Sequence, residues 1–160
     1  MDQNPVFATK YCAKMQDFLD KGFARKLRPD ELAIKSSKIW YLPHFAHFNP
    51  NKPDKLRLIL DAASKSNGTS LNENLLTGPD FYVPLTSVLF HFRQRKFGFG
   101  GDIQEMFPQT RIIESDLPAQ RFLWRAMDRD RPPDEMVMTR MIFGSVSSPC
   151  SAQFVKNRNA

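Results

Sequence analysis

Residues 97–110 read FGFGGDIQEMFPQT, which sets one carboxylate, Asp102, directly after a glycine-rich stretch and one bulky ring, Phe107, five residues further on. On residue types alone, a turn capped by its aspartate accounts for Asp102, and a core aromatic accounts for Phe107. Other residues with chemical potential are scattered. His44 and His47 form an HxxH, but no carboxylate or thiol lies near them in sequence and Pro43 breaks a helical i, i+3 reading, so the pattern is not that of a zinc site. Ser145, Ser147 and Ser148 are close together, yet no G-x-S-x-G elbow surrounds them. Cys12 and Cys150 lie far apart and outside any CxxC; they read as small buried hydrophobes of a reducing compartment.

Charge carries more. The 160 residues hold 23 Lys and Arg against 17 Asp and Glu, a net +6, with a pI near 9.5. The basic residues cluster in KGFARKLR, NKPDKLR, HFRQRK and WRAMDRDR, with aromatics between them. Cations interleaved with rings are the composition of surfaces that hold phosphates and stack bases, which favours a polyanionic partner, with a set of plain solvated faces as the alternative. RDRPPDE reads as an exposed turn with paired charges. Hydrophobic content of 41% is enough for one core. No run of 18 or more apolar residues occurs, and the start MDQNPVFATK has no signal-peptide character. The expected location is intracellular, in the cytoplasm, neither secreted nor in a membrane.

The elements that must position these residues alternate between helix and strand. Asn4 caps a first helix, Pro5 suits its first turn, and Phe7, Tyr11, Met15, Phe18 and Leu19 recur at helical spacing up to Gly22. Irregular charged sequence follows to about Lys38. KIWYLPHFAHF is rich in strand formers, with Pro43 interrupting it, NPNKPDK is a turn, and KLRLILDAA alternates as a half-buried strand. SKSNGTSLNENLLTGPD is a long polar loop. VPLTSVLFHFRQRK is a second helix with a stripe of Leu85, Val88, Leu89 and Phe92. KFGFGG reads as a strand ending at Asp102, QRFLWRAM and EMVMTRMIF as two strands joined by DRDRPPDE, and SSPCSAQFVKNRNA as a helix capped by Ser148 with Pro149 in its first position.

Four of these stretches in order, KLRLILDAASKSNGTSLNENL, DIQEMF, QRFLWR and FGSVSSPCSAQ, resemble the finger and palm motifs of reverse transcriptases. YLPHF, LILDAASKSNGTSLNENLLTGPD, RFLWR and MTRMIFGSVSSPCSAQFVKNRNA are more closely similar to the BEL/Pao retrotransposons, and YCAKMQDFLDKGFARKL is similar to the segment preceding the polymerase there. The resemblance implies an α+β fold, an antiparallel palm sheet backed by helices, with 1–38 as a helical N-terminal segment and 39–160 as fingers and partial palm. It implies an RNA-directed DNA polymerase that extends a primer on an RNA or DNA template with deoxynucleoside triphosphates and Mg²⁺ or Mn²⁺, as part of a longer pol polyprotein. Asp102 would be the first metal-binding aspartate and the Ile103 backbone a further metal oxygen. Arg57, with Lys55 on the same strand face as a helper, would grip the triphosphate, since the planar guanidinium fork suits phosphate oxygens. Phe107 would be the ring that excludes a ribose 2′-hydroxyl. Phe143 and Gly144 would pack against the nucleotide, and Ser148, Pro149 and Gln153 would face the template. Asp61 reads as a structural partner for a nearby Arg.

The sequence departs from that family in three places, one of them Pro108, which sits inside the turn after Phe107. GFGG loosens the strand before Asp102, because glycine inside an element costs roughly 0.5–1 kcal/mol relative to alanine. No Asp-Asp pair occurs in the 160 residues, although the family carries one in a later motif. Two-metal nucleotidyl transfer needs carboxylates that bridge both ions, so the chain is expected to be inactive in isolation and truncated before that motif. Two alternatives stand beside the enzyme: a catalytically dead nucleic-acid-binding remnant of a retroelement, and a basic globular interaction domain.

Overall fold

The computed structural model describes residues 4–49 and 52–159, with the side chains of Asn49 and of 52–55 left undescribed. Helix α1 spans Pro5–Asp20. Its Asn4 cap accepts from the Phe7 amide at 3.0 Å, and Gly22 ends it at φ +65°, a left-handed conformation that glycine adopts without strain. The helical stripe read from the sequence is the face that packs. Tyr11, Met15 and Phe18 are buried in the main core, with Phe7 and Leu19 against it. The charged stretch that follows is more ordered than its composition implies. Strand β1 (Ala24–Lys26) and the short helix α2 (Pro29–Leu32) form there.

Strands β2 (His44–Asn49) and β3 (Lys52–Leu60) pair as an antiparallel hairpin. The alternation predicted for β3 holds: Leu56, Leu58 and Leu60 are buried while Arg57 between them is exposed. A second antiparallel sheet has the order β1-β5-β4, with β4 at Arg121–Trp124 and β5 at Asp134–Met138. Extended chain at 40–42 ties into β4, with the Leu42 amide donating to Arg121 at 2.7 Å and the Arg121 amide to Trp40 at 3.1 Å. Residues of α1, β1, β3, β4 and β5 share one core built on Met15, Phe122 and Met138. The architecture is therefore mixed α+β, with small antiparallel sheets and helices.

The remaining elements are helices α3 (Leu85–Phe92), α4 (Met106–Gln109) and α5 (Ser148–Asn159), with short 3-10 segments at Asn72–Asn74 and Glu114–Gln120. Two expectations need correction, and one helix carries its expected stripe uncovered. KFGFGG is not a strand: 93–105 forms turns and irregular chain, so Asp102 does not end a strand. Three glycines weaken the segment, and no neighbouring strand among the described residues pairs with it, without which extended chain gains nothing. The stripe of α3 is amphipathic but uncovered, since Leu85, Val88, Leu89 and Phe92 are all exposed. Ser148 does not spend its hydroxyl on a helix cap: its Oγ donates to the Ile142 carbonyl at 2.6 Å.

The remaining small motifs resolve locally. His44 packs half-buried against the rings of Tyr11, Phe122 and Trp124. Its Nε2–H donates to the Leu123 carbonyl at 2.8 Å, and its Nδ1 is bonded to the Tyr11 hydroxyl. Burial holds its pKa below the ordinary imidazole value. His47, three residues along a strand, falls on the opposite face and is exposed. Asp61 closes a turn instead of pairing with an arginine, accepting from the amides of Ala63 at 2.9 Å and Ser64 at 3.1 Å.

Candidate nucleotide-facing corner

The candidate residues divide into a group that the fold assembles and a group that it leaves apart. Assembly begins where β3 ends. The turn after Leu60 leads into the polar loop, which is ordered by its own side chains. Ser70 and Glu73 bond reciprocally to one another's amides, at 3.3 and 3.1 Å, as in a capping box. Asn67 and Gly68, both at positive φ, make the tight turn between Ser66 and Thr69. This order delivers Asn72 to the corner at 143–148. The Asn72 amide donates to the Ala62 carbonyl at 2.9 Å. Its side-chain Nδ2 donates to the Gly144 carbonyl at 3.0 Å, and its Oδ1 accepts from the Val146 amide at 3.0 Å. One side chain thus clamps the corner to the end of the hairpin.

Gly144 is required there by space rather than by conformation. A Cβ on it would lie 2.5 Å from the Leu60 carbonyl oxygen, a backbone atom that cannot swing away. Phe143 precedes it, 63% exposed, with the half-buried Phe107 ring against it at 4.8 Å between centroids and 88° between planes. Edge-to-face geometry of this kind is a favourable arrangement of two ring quadrupoles. Leu60, Pro108 and Ile142 line the apolar floor beneath Phe143. Behind the rings, Ser148 is buried and bonded to Ile142, while the Ser145 and Ser147 hydroxyls bond to each other at 2.9 Å. Pro149 is exposed at the start of α5. Gln153, one turn on, is half-buried, and its Oε1 is shielded from solvent without a hydrogen-bond partner. Asn72 is the residue that sequence reasoning missed. The signal was the Ser70-Leu-Asn-Glu73 pattern, which marks an ordered segment inside what reads as loop.

Arg57 stands on the outer face of β3, exposed and across from His47 in the hairpin register. The Lys55 backbone lies in the same strand, and its side chain lies outside the described residues. Asp102 and Ile103 occupy the exposed segment between α3 and α4. Glu105, the next carboxylate, is engaged elsewhere, bonded to Lys21 at 2.9 Å. Among the described residues, no three His, Cys, Asp or Glu side chains gather to hold a metal. One carboxylate and one carbonyl are too few oxygens for the octahedral shell of Mg²⁺ without mostly water, and they cannot bridge two ions. The donor set does not fit a two-metal centre, and no chemical step is derived through one.

Ion pairing sorts the basic clusters. In KGFARKLR, Lys21 pairs with Asp17 and Glu105, Arg25 with Glu31, Lys26 with Asp134, and Arg28 with Asp30 and Glu31. Arg25 and Glu31 meet through two parallel bonds of 2.6 Å, and this guanidinium contact pulls the Glu31 carboxyl down to about 2. In WRAMDRDR, Arg131 pairs with Asp128 and Asp134. Arg57 and the HFRQRK cations remain exposed. No family model and no curated protein matches the chain. Among the described residues, no helix is long and apolar enough to cross a membrane.

Proposed function

We propose that the chain is the fingers and partial palm of a reverse transcriptase of BEL/Pao type, binding primer–template and a deoxynucleoside triphosphate at the corner where β3 meets 143–148. The observation that carries this reading is the convergence of Phe107, Phe143 and Gly144, three residues distant in sequence from β3, upon the end of that strand. The exposed Phe143 ring, braced edge-to-face by Phe107, offers an apolar surface to a base or sugar, and Gly144 lets that corner pack directly on the Leu60 carbonyl. Arg57 stands on the outer face of the same hairpin, apart from the ring pair, and its part as a forked cation for phosphate rests on the resemblance. Phe107 is the ring that would meet a ribose 2′-hydroxyl. Ser148 contributes by holding the corner through Ile142 rather than by touching the template. The remainder of the pol polyprotein would supply the Asp-Asp pair that Asp102 lacks.

A second reading has its own observation. Asp102 is exposed, and no three His, Cys, Asp or Glu side chains gather among the described residues, an arrangement compatible with a remnant that binds nucleic acid without polymerising. Primer extension with Mg²⁺ or Mn²⁺ separates the two. The expected result is no extension by these 160 residues, extension by a chain continued through an Asp-Asp motif, and loss of it with Asp102→Asn. Absence of extension from every continued chain that folds leaves only the remnant. Failure of the chain to bind primer–template at low salt would remove both.

A further inference from the structure

We propose that the end of α3 and the segment after it form a platform for single-stranded nucleic acid, with Phe97 and Phe99 stacking bases and Arg93, Arg95 and Lys96 holding phosphates. The inference rests on the nucleic-acid reading above and adds a second, separate contact to it. Phe97 and Phe99 are 73% and 94% exposed, a degree of ring exposure that water disfavours. Gly98 between them lies against the Phe92 ring, where a Cβ would come within 2.4 Å. The chain is therefore folded back on the helix end, with its two flanking rings left in solvent. Glycines 100 and 101 leave open space beside Phe99.

Charge selects the occupant. Between Asp80 and Asp102 the chain has no acidic residue, while Arg93, Arg95 and Lys96 are all exposed. The basic segment at 21–28 is answered by local carboxylates, whereas this one is not. Lys96 Nζ lies over the Phe97 ring, 5.7 Å from its centroid, so a cation stands directly beside one ring of the patch. A duplex hides the faces of its bases inside the stack. Unpaired bases offer them, and stacking on an aromatic side chain tolerates any sequence. A ring-and-cation surface of this type therefore fits a single strand better than a duplex.

The test uses the 160-residue chain, a fluorescein-labelled oligo(dT), an oligo(U) of the same length, and a blunt DNA duplex, followed by anisotropy at several salt concentrations. The expected result is that Phe97→Ala/Phe99→Ala weakens both single strands about tenfold or more, a stacking loss of ordinary size, while duplex affinity stays within twofold. Arg93→Gln/Arg95→Gln/Lys96→Gln should flatten the salt dependence on oligo(dT) by about two, since each phosphate contact on a single strand contributes about 0.7 to the slope. Thermal unfolding checks that both variants fold, as substitution of exposed residues should allow. Single-strand binding that survives the double Phe variant unchanged overturns the platform while leaving the family reading intact. A chain that binds neither strand nor duplex overturns both. Loss of self-association in the Phe variant, by sedimentation, without loss of oligonucleotide affinity makes the patch a protein contact and likewise overturns the proposal.

Discussion

Replacing Asn72 should loosen the corner without touching its rings. The side chain makes two hydrogen bonds of 3.0 Å, to the Gly144 carbonyl and from the Val146 amide. A net hydrogen bond contributes about 0.5–1.5 kcal/mol, so Asn72→Ala should cost about 1–3 kcal/mol. The lower half of that range applies if water reaches the vacated groups, because Asn72 is only partly buried. For a chain of this size, about 2 kcal/mol lowers the unfolding midpoint by about 4–8 °C. Asn72→Asp sharpens the test. An ionised carboxylate can still accept from Val146 but cannot donate to Gly144, and it faces that carbonyl with negative charge. At pH 7 this variant should be no more stable than Asn72→Ala. As pH falls toward 4, protonation restores a donor, and Asn72→Asp should gain on Asn72→Ala. Thermal and denaturant unfolding of the three proteins across that range is the assay. A midpoint for Asn72→Ala within about 1 °C of the parent, or an Asn72→Asp protein as stable as the parent at pH 7, would refute the clamp.

Gly144→Ala should be destabilising by about 1–3 kcal/mol in chemical denaturation, because its Cβ would sit 2.5 Å from the Leu60 carbonyl and overpacking of that kind forces backbone to move. A double-mutant cycle with Phe107→Ala and Phe143→Ala should return a coupling of about 0.5–1.5 kcal/mol, and a value near zero would mean that the rings are neighbours without interaction. His44 is half-buried and desolvation lowers its pKa, so the unfolded chain binds its proton more readily. The stability due to its neutral ring is present above the ordinary value near 6.5 and is lost as pH falls below it; a His44→Gln protein should show a flatter stability profile from pH 7 to 5. Glu31, held at about 2 by Arg25, adds stability that is full above about 4.5 and lost as pH falls toward 2. Glu31→Gln should remove that part of the acid slope in a urea titration, and an unchanged slope would discount the pair.

The parts of the fold legible in the sequence are those with both a local signal and a partner to pack on. Helix α1 carries a cap, a proline, an apolar stripe and a terminal glycine, and its stripe meets the core. Strand β3 alternates and pairs with β2. The segment KFGFGG carries a strand-like signal too, but a strand is stabilised by its neighbours, and no neighbour among the described residues reaches it. The α3 helix and its apolar stripe are where periodicity puts them, but periodicity does not say what covers the stripe, which is exposed. In the opposite direction, the polar loop at 64–80 hid an ordered unit. Its Asn-Gly turn and Ser-x-x-Glu box are short-range signals that a composition reading passes over. Asn72 could be placed in an element from these, but not against Gly144, since that contact joins residues 72 apart.

The same distinction explains which charges matter. In sequence, the basic clusters look equivalent. In the fold, three-dimensional pairing returns Lys21, Arg25, Lys26 and Arg28 to their carboxylates, where they hold β1 and α2 in place. Exposed pairs of this kind contribute little to stability individually, but they remove net positive potential from that surface. Arg57 and the Arg93–Lys96 segment are exposed cations without a carboxylate partner among the described residues, and the second of them stands beside the exposed rings of Phe97 and Phe99. A polyanion approaching this chain is steered by uncompensated charge, and its orientation is fixed by what lies next to that charge. On this argument, neutralising the 21–28 cluster should change stability more than nucleic-acid affinity. Neutralising Arg57 or the Arg93–Lys96 group should do the reverse.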